Sequence, residues 1–149
     1  MKVMLISSPG GHLAQLLPLR EALEGHEVIW VTAESPHTAE LAERDRVEYT
    51  AYPTTRHVPN ALRNLAKASR LLREDRPDVI VSAGAGVAAP FFLIAWQLKI
   101  PSVYIEVIDR ISTRTLTGAM VYPFATRFIV QWREQARLYP GALVSGALL

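Results

Sequence analysis

The sequence has 149 residues, half of them hydrophobic and a fifth charged, a balance that suits one globular domain with its own core and excludes a disordered chain. Sixteen basic against fourteen acidic side chains leave a formal charge of +2, too small to argue for a nucleic-acid partner. With no cysteine, disulfides and thiolate metal sites are excluded.

Residues 2–7 read as a buried strand around Val3-Met4-Leu5-Ile6. That apolar run is too short for a signal peptide. It leads into Ser7-Ser8-Pro9-Gly10-Gly11-His12 and a helix over 12–24, with Leu13, Leu16, Leu17 and Leu23 at helical spacing and Gly25 just past its end. Residues 27–32 form a second strand. Ser35 and Pro36 open a short helix through Leu41, as N-cap and first helical residue. A weaker third strand covers 47–52 and a loop covers 53–58. An amphipathic helix then runs over 59–74, with Leu62, Leu65, Ser69 and Leu72 on one face and Arg63, Lys67, Arg70 and Glu74 on the other.

Residues 79–82 are a short apolar strand, and Gly84-Ala85-Gly86 repeats the strand, glycine turn and helix pattern before a helix over 87–98. The apolar stretch 87–98 is well short of the roughly 20 residues of a spanning helix, so the protein is expected to be soluble or peripheral. A strand over 102–107 precedes a polar loop, 109–114. A short segment runs on to Pro123, followed by a strand over 127–131 and a helical stretch over 132–139. The tail from Tyr139 through Leu143, Val144, Leu148 and Leu149 is unusually apolar.

Short apolar strands alternating with helices make βαβ units and a parallel sheet covered on both faces. The expected fold is a single Rossmann-like α/β domain over residues 1–149. Ligands of such sheets bind beyond the carboxyl ends of the strands. Gly10, Gly11, His12, Gly84, Ala85, Gly86, Glu106, Asp109 and Arg110 all fall at such ends.

Glycines before a helix bring bare N–H groups to a ligand, and the helix N-terminus favours negative charge. Histidine titrates near neutrality, so phosphate or a developing oxyanion is the expected guest. A dinucleotide fingerprint needs G-x-G-x-x-G with an acid some 20 residues on. Glu34 could serve as the acid, but Ser8 and Leu13 hold the outer glycine positions. Glu106, ending an apolar strand, could hold a sugar hydroxyl or orient His12, or could simply pair with Arg110 or Arg114. Arg63, Lys67 and Arg70 form either a solvated helix face or a contact to anionic lipid. His26, His37 and His57 lack metal-ligand spacing, and nothing in the pattern requires a metal or cofactor. The apolar tail, 140–149, packs on its own core or meets a partner.

On Ser8-Pro9-Gly10-Gly11-His12-Leu13, Gln15-Leu16, the run from Pro77-Asp78 to Gly86, Tyr104-Ile105-Glu106, Gln131-Trp132 and Tyr139-Pro140, the whole chain resembles the PssD-type oligosaccharide biosynthesis family. The resemblance implies the N-terminal, acceptor-side half of a MurG-like GT-B glycosyltransferase. A separate subunit would bind the UDP-sugar, and the acceptor would be a sugar on a lipid pyrophosphate at the cytoplasmic membrane face. Exopolysaccharide, capsule and lipid-linked oligosaccharide assembly are the settings implied. His12 and Glu106 would be catalytic. Gly10, Gly11, Gly84, Ala85, Gly86, Asp109 and Arg110 would bind acceptor; Arg63, Lys67 and Arg70 would touch membrane. Tyr139, Leu143, Val144, Leu148 and Leu149 would meet the partner. The other reading is a non-catalytic scaffold that recruits the transferase to the membrane.

Overall fold

Strand β1 (Lys2–Ile6) is buried from Val3 onward and lies inside a parallel sheet, paired on both edges. The computed structural model describes residues 1–54 and 56–147. Over these, the chain runs α1 (Gly11–Ala22), β2 (Glu27–Thr32), α2 (Pro36–Leu41), β3 (Arg46–Tyr49), α3 (Val58–Asp75), β4 (Val79–Ser82), α4 (Ala88–Leu98), β5 (Ser102–Ile105), α5 (Leu116–Val121), β6 (Arg127–Val130), a 3-10 turn (Gln135–Arg137) and β7 (Leu143–Val144). The described residues form a seven-stranded sheet in the order β3-β2-β1-β4-β5-β6-β7, with every pairing parallel. The chain first builds outward from β1 to β3. It then crosses back through α3 to place β4 against the other side of β1, so the topology switches between these two central strands.

Alternate residues of the strands feed two cores, as a sheet covered on both faces requires. On one face Met4, Ile6, Ile29, Val31 and Ile80 meet Leu71 and Leu72 of α3 and Phe91 and Phe92 of α4. On the other, Val3, Leu5, Val28, Trp30 and Val81 meet Leu13 and Leu16 of α1.

Several expectations are corrected. The buried stripe of α3 is Asn60, Asn64, Ala68, Leu71 and Leu72, while Leu62 is 62% exposed. The helix begins against backbone rather than apolar core. Asn60 Nδ2 donates to the Pro53 carbonyl (2.9 Å), while Asn64 accepts from Ala51 N (2.9 Å) and donates to its carbonyl (3.1 Å). Those bonds hold the β3–α3 loop and exclude Leu62 from the contact. Residues 132–139 contain one 3-10 turn rather than a helix, because the Gln135 side chain accepts from the N–H groups of Gln131 and Trp132. The tail adds β7 to the sheet's edge. Tyr139, expected at a partner surface, is fully buried in the core. Leu148 and Leu149 lie outside the described residues.

On the far side of the sheet, Arg20 donates from Nε and Nη2 to both oxygens of Asp45 at 2.7 Å, and Trp30 Nε1 donates to the same carboxylate at 3.1 Å. The Arg20 hydrogen bond, helped by that from Trp30 and by nearby positive charge, holds the Asp45 carboxyl below the usual range against the opposing effect of burial. A depressed folded-state pKa means the unfolded chain binds the proton first, so this contribution is present above about pH 4 and is lost as the pH falls further. Asp45→Asn is expected to melt below wild type at pH 7, with the gap narrowing as the pH falls from 5 to 3. Thermal melts across that range check it.

Candidate functional site

Helix α1 starts at Gly11 without a side-chain N-cap, after Gly10 at φ 95°. His12, in its first turn, reaches across the switch point to β4. Its Nδ1 lies 3.0 Å from the Ala83 carbonyl oxygen. A carbonyl can only accept, so Nδ1 carries a proton toward Ala83, and Nε2 has no hydrogen-bond partner among the described residues. Gly84, at φ 118°, makes this approach possible. A Cβ there would lie 2.8 Å from His12 Nδ1. A Cβ on Gly86 would lie 2.8 Å from the Thr54 carbonyl oxygen. This second glycine turn therefore admits the imidazole on one side and the β3–α3 loop on the other.

His12 opens into a cleft of about 940 Å³ beyond the carboxyl ends of the strands. Its lining mixes polar and charged side chains, among them Ser8, His12, Arg56, His57, Asp109 and Arg110, with apolar ones from α3, α4 and α5, among them Leu62, Leu65, Leu93, Leu116 and Met120. Ala85 and Gly86 also line it, whereas Gly10 and Gly11 are exposed beside Ser8 and His12 without forming its wall. The cleft can take a ligand that offers both polar and apolar surface.

Glu106 is not in that wall. It is fully buried, and its carboxyl accepts from Val107 N (3.0 Å), the Thr115 hydroxyl (2.9 and 3.1 Å) and the Tyr139 hydroxyl. Gly118 packs against the same group, and a Cβ there would fall on the Glu106 carboxyl and the Tyr139 hydroxyl. The expectation that Glu106 faces the reacting groups is thereby corrected, because its oxygens are engaged in tying α5 and Tyr139 to the end of β5. Burial pushes the Tyr139 hydroxyl well above its ordinary pKa, and its bond to Glu106 adds to the shift. Arg114 lies over the Tyr139 ring, 5.1 Å from its centre.

Sequence reasoning singled out Gln15 and Gln131 without a role, and Thr115 and Gln135 not at all. Gln131 Nε2 donates to Gln15 Oε1 (2.6 Å) and to the Glu106 carbonyl (2.9 Å), and Gln135 Nε2 donates to the carbonyls of Val107 and Arg110, both at 2.8 Å. These bonds set the loop that carries Asp109 and Arg110. The basic face of α3 is less free than expected. Lys67 bends onto the Tyr49 carbonyl and Glu48, Arg63 donates to Asn60 (3.0 Å), and exposed Arg70 pairs with Glu74 at 3.5 Å. No helix among the described residues is long and apolar enough to cross a membrane.

The sheet order, the histidine over the switch point and the cleft beyond the strand ends define one half of a GT-B architecture. The chain is similar in structure to MurG of Acinetobacter baumannii, with a TM-score of 0.76 at 18% identity over 96% of this chain and 43% of that one. By sequence, the family model described as "Oligosaccharide biosynthesis protein Alg14 like" matches residues 2–148, and the chain belongs to that family. Among its relatives is the "UDP-N-acetylglucosamine transferase subunit ALG14" of Rattus norvegicus, 27% identical over 99% of this chain and 82% of the relative. Another is the "UDP-N-acetylglucosamine--N-acetylmuramyl-(pentapeptide) pyrophosphoryl-undecaprenol N-acetylglucosamine transferase" of Geobacillus kaustophilus, 32% identical over 60% of this chain and 26% of that protein. The chain thus spans about four-fifths of the first relative and less than half of the MurG chain. The family's description is oligosaccharide biosynthesis, and the exopolysaccharide and capsule settings receive no support from these relatives.

The structural role of Glu106 has a direct check. Glu106→Gln keeps the shape but turns an amide NH₂ toward hydroxyl and N–H donors. Mismatching a buried group of this kind costs about 1–3 kcal/mol, which in a domain of this size lowers the melting temperature by several degrees. Circular-dichroism melts should show that loss. An unchanged melting temperature would return Glu106 to the chemistry.

Proposed function

We propose that this chain is the acceptor-side half of a UDP-sugar glycosyltransferase, completed by a separate donor-binding subunit. It would transfer the sugar, most simply N-acetylglucosamine, to a sugar on a lipid pyrophosphate. The observation that carries this reading is His12, held by Ala83 with Nε2 open, in a cleft lined by both polar and apolar side chains. The names of the relatives support the donor, and the pyrophosphoryl-undecaprenol acceptor of one supports the acceptor class.

In this reading the acceptor hydroxyl lies against Nε2, with its pyrophosphate toward Arg110 and the Gly10-Gly11 turn and its lipid along Leu62, Leu116 and Met120. As the hydroxyl oxygen bonds to the donor's anomeric carbon, its proton passes to Nε2, and UDP leaves with the electron pair of the broken bond. In the same reading Arg63 and Arg70 of α3 face the cytoplasmic surface of a membrane; Lys67, tied to β3, contributes little.

General-base catalysis is worth about 10²–10⁴-fold. His12→Ala is expected to lower turnover of the purified pair by that order while both subunits still co-purify. Activity within a few-fold of wild type would favour the non-catalytic scaffold.

The donor-binding subunit docks on the open edge of the sheet at β7 and on the residues that follow. Leu143 and Val144 are 55% and 48% exposed although their backbone is paired to β6. Leu143→Ser with Val144→Ser should therefore reduce co-purification of the partner strongly and shift the melting temperature of this chain little. Full retention of the partner would place the contact elsewhere.

A further inference from the structure

The loop between β3 and α3 brings Arg56 into the lining of the cleft, together with Tyr52, Thr54 and His57. That loop is held from both ends. Asn60 Nδ2 donates to the Pro53 carbonyl at 2.9 Å, and Asn60 N donates to His57 Nδ1 at 3.2 Å. The Thr54 carbonyl rests over Gly86, where a Cβ would come within 2.8 Å of its oxygen. Between these fixed points Arg56 adopts φ 53°, a left-handed conformation that is costly for any residue with a side chain. The residue is exposed, and its guanidinium has no hydrogen-bond or ion-pair partner among the described residues.

The loop after β5 adds Asp109 and Arg110 to the same lining, and their side chains likewise make no ion pair among the described residues. The charged groups of the lining are therefore two guanidiniums and one carboxylate. An excess of positive charge drawn from two separate loops suits a ligand with several anionic oxygens, and the planar fork of arginine matches phosphate. The residues that follow Arg56 show what that anion is joined to. Val58, Ala61, Leu62 and Leu65 line the cleft at helical spacing along α3, and Val58 and Leu62 are largely exposed. An anion held at Arg56 thus lies beside an apolar strip. A prenyl diphosphate has that order of charge and hydrocarbon; a nucleoside diphosphate does not. We propose that the Arg56 guanidinium binds the diphosphate of the lipid-linked acceptor, as a second cation besides Arg110, with the lipid laid along Val58, Leu62 and Leu65. The inference rests on the acceptor-side reading above and assigns one contact within it.

The test uses the full chain with its donor-binding subunit and the variants Arg56→Gln, Arg56→Lys and Arg73→Gln. Arg73 is exposed on α3 outside the cleft lining and controls for bulk charge. Calorimetric binding of a sugar-free short-chain prenyl diphosphate should weaken about tenfold or more in Arg56→Gln, the loss expected for one charge-assisted contact. Arg56→Lys, which keeps the charge without the fork, should recover part of that loss. Arg73→Gln should bind as wild type does. The KM for UDP-N-acetylglucosamine should stay unchanged throughout, and no variant at position 56 should melt lower, since Arg56 has no partner to lose. If Arg56→Gln binds as tightly as wild type, the Arg56 assignment falls and the acceptor-side reading stands. The same holds if wild type binds the sugar-bearing acceptor but not the sugar-free diphosphate. If wild type binds neither, both fall. Equal losses in Arg56→Gln and Arg73→Gln would reduce the effect to long-range charge and overturn the assignment. A raised KM for UDP-N-acetylglucosamine with acceptor binding intact would move the contact to the donor's diphosphate, and a melting temperature lowered by several degrees would expose a structural partner; either result overturns it too.

Discussion

The carboxyl group of Glu106 is the point on which the site end of the sheet depends. A buried polar group must find partners inside the fold, because leaving it without them costs more than the bonds themselves contribute. Glu106 recruits donors from its own strand end, from the start of α5 and from Tyr139 near the far end of the chain. Its backbone meanwhile donates to the Ile129 carbonyl and accepts from Gln131. One residue thus binds β5, β6, α5 and the segment after the 3-10 turn into a unit. The loop with Asp109 and Arg110 spans this unit, so its position follows from packing beneath it.

That arrangement separates two jobs that the sequence lets one confuse. His12 and Glu106 are both polar residues at the carboxyl ends of buried strands. Only His12 keeps an unfilled nitrogen at the cleft; the oxygens of Glu106 are satisfied from within. The glycines divide likewise. Gly84 yields space to an imidazole and Gly86 to a backbone carbonyl, whereas Gly10 and Gly11 face open space.

The alternation of strands and helices was legible because a strand buried on both faces must be apolar throughout, and Val3–Ile6, Val28–Val31 and Val79–Val81 satisfy that over few residues. His12, Ala85, Gly86, Asp109 and Arg110 were legible because strand ends in a parallel sheet converge. What escaped was fixed by side-chain hydrogen bonds between distant positions. Asn60 and Asn64 rotate the face of α3 that is buried, and Gln135 prevents a regular helix after β6. Strand β7 has only two residues, too few to show a period. Tyr139 reads as part of an apolar tail until its ring is seen among Phe128 and Tyr122.

The bond from Gln131 to Gln15 joins residues 116 positions apart. Local helix formation can build α1 early, but its seat on the sheet is complete only once β6 has paired, and contacts of such sequence separation are slow to form because the intervening chain must first be ordered. His12 lies one turn before Gln15 on the same helix. The imidazole itself rests on the Ala83 carbonyl just past β4, so His12 meets its partner once β1 and β4 are paired, whereas the Gln15 end of the same turn is tied down only when β6 docks.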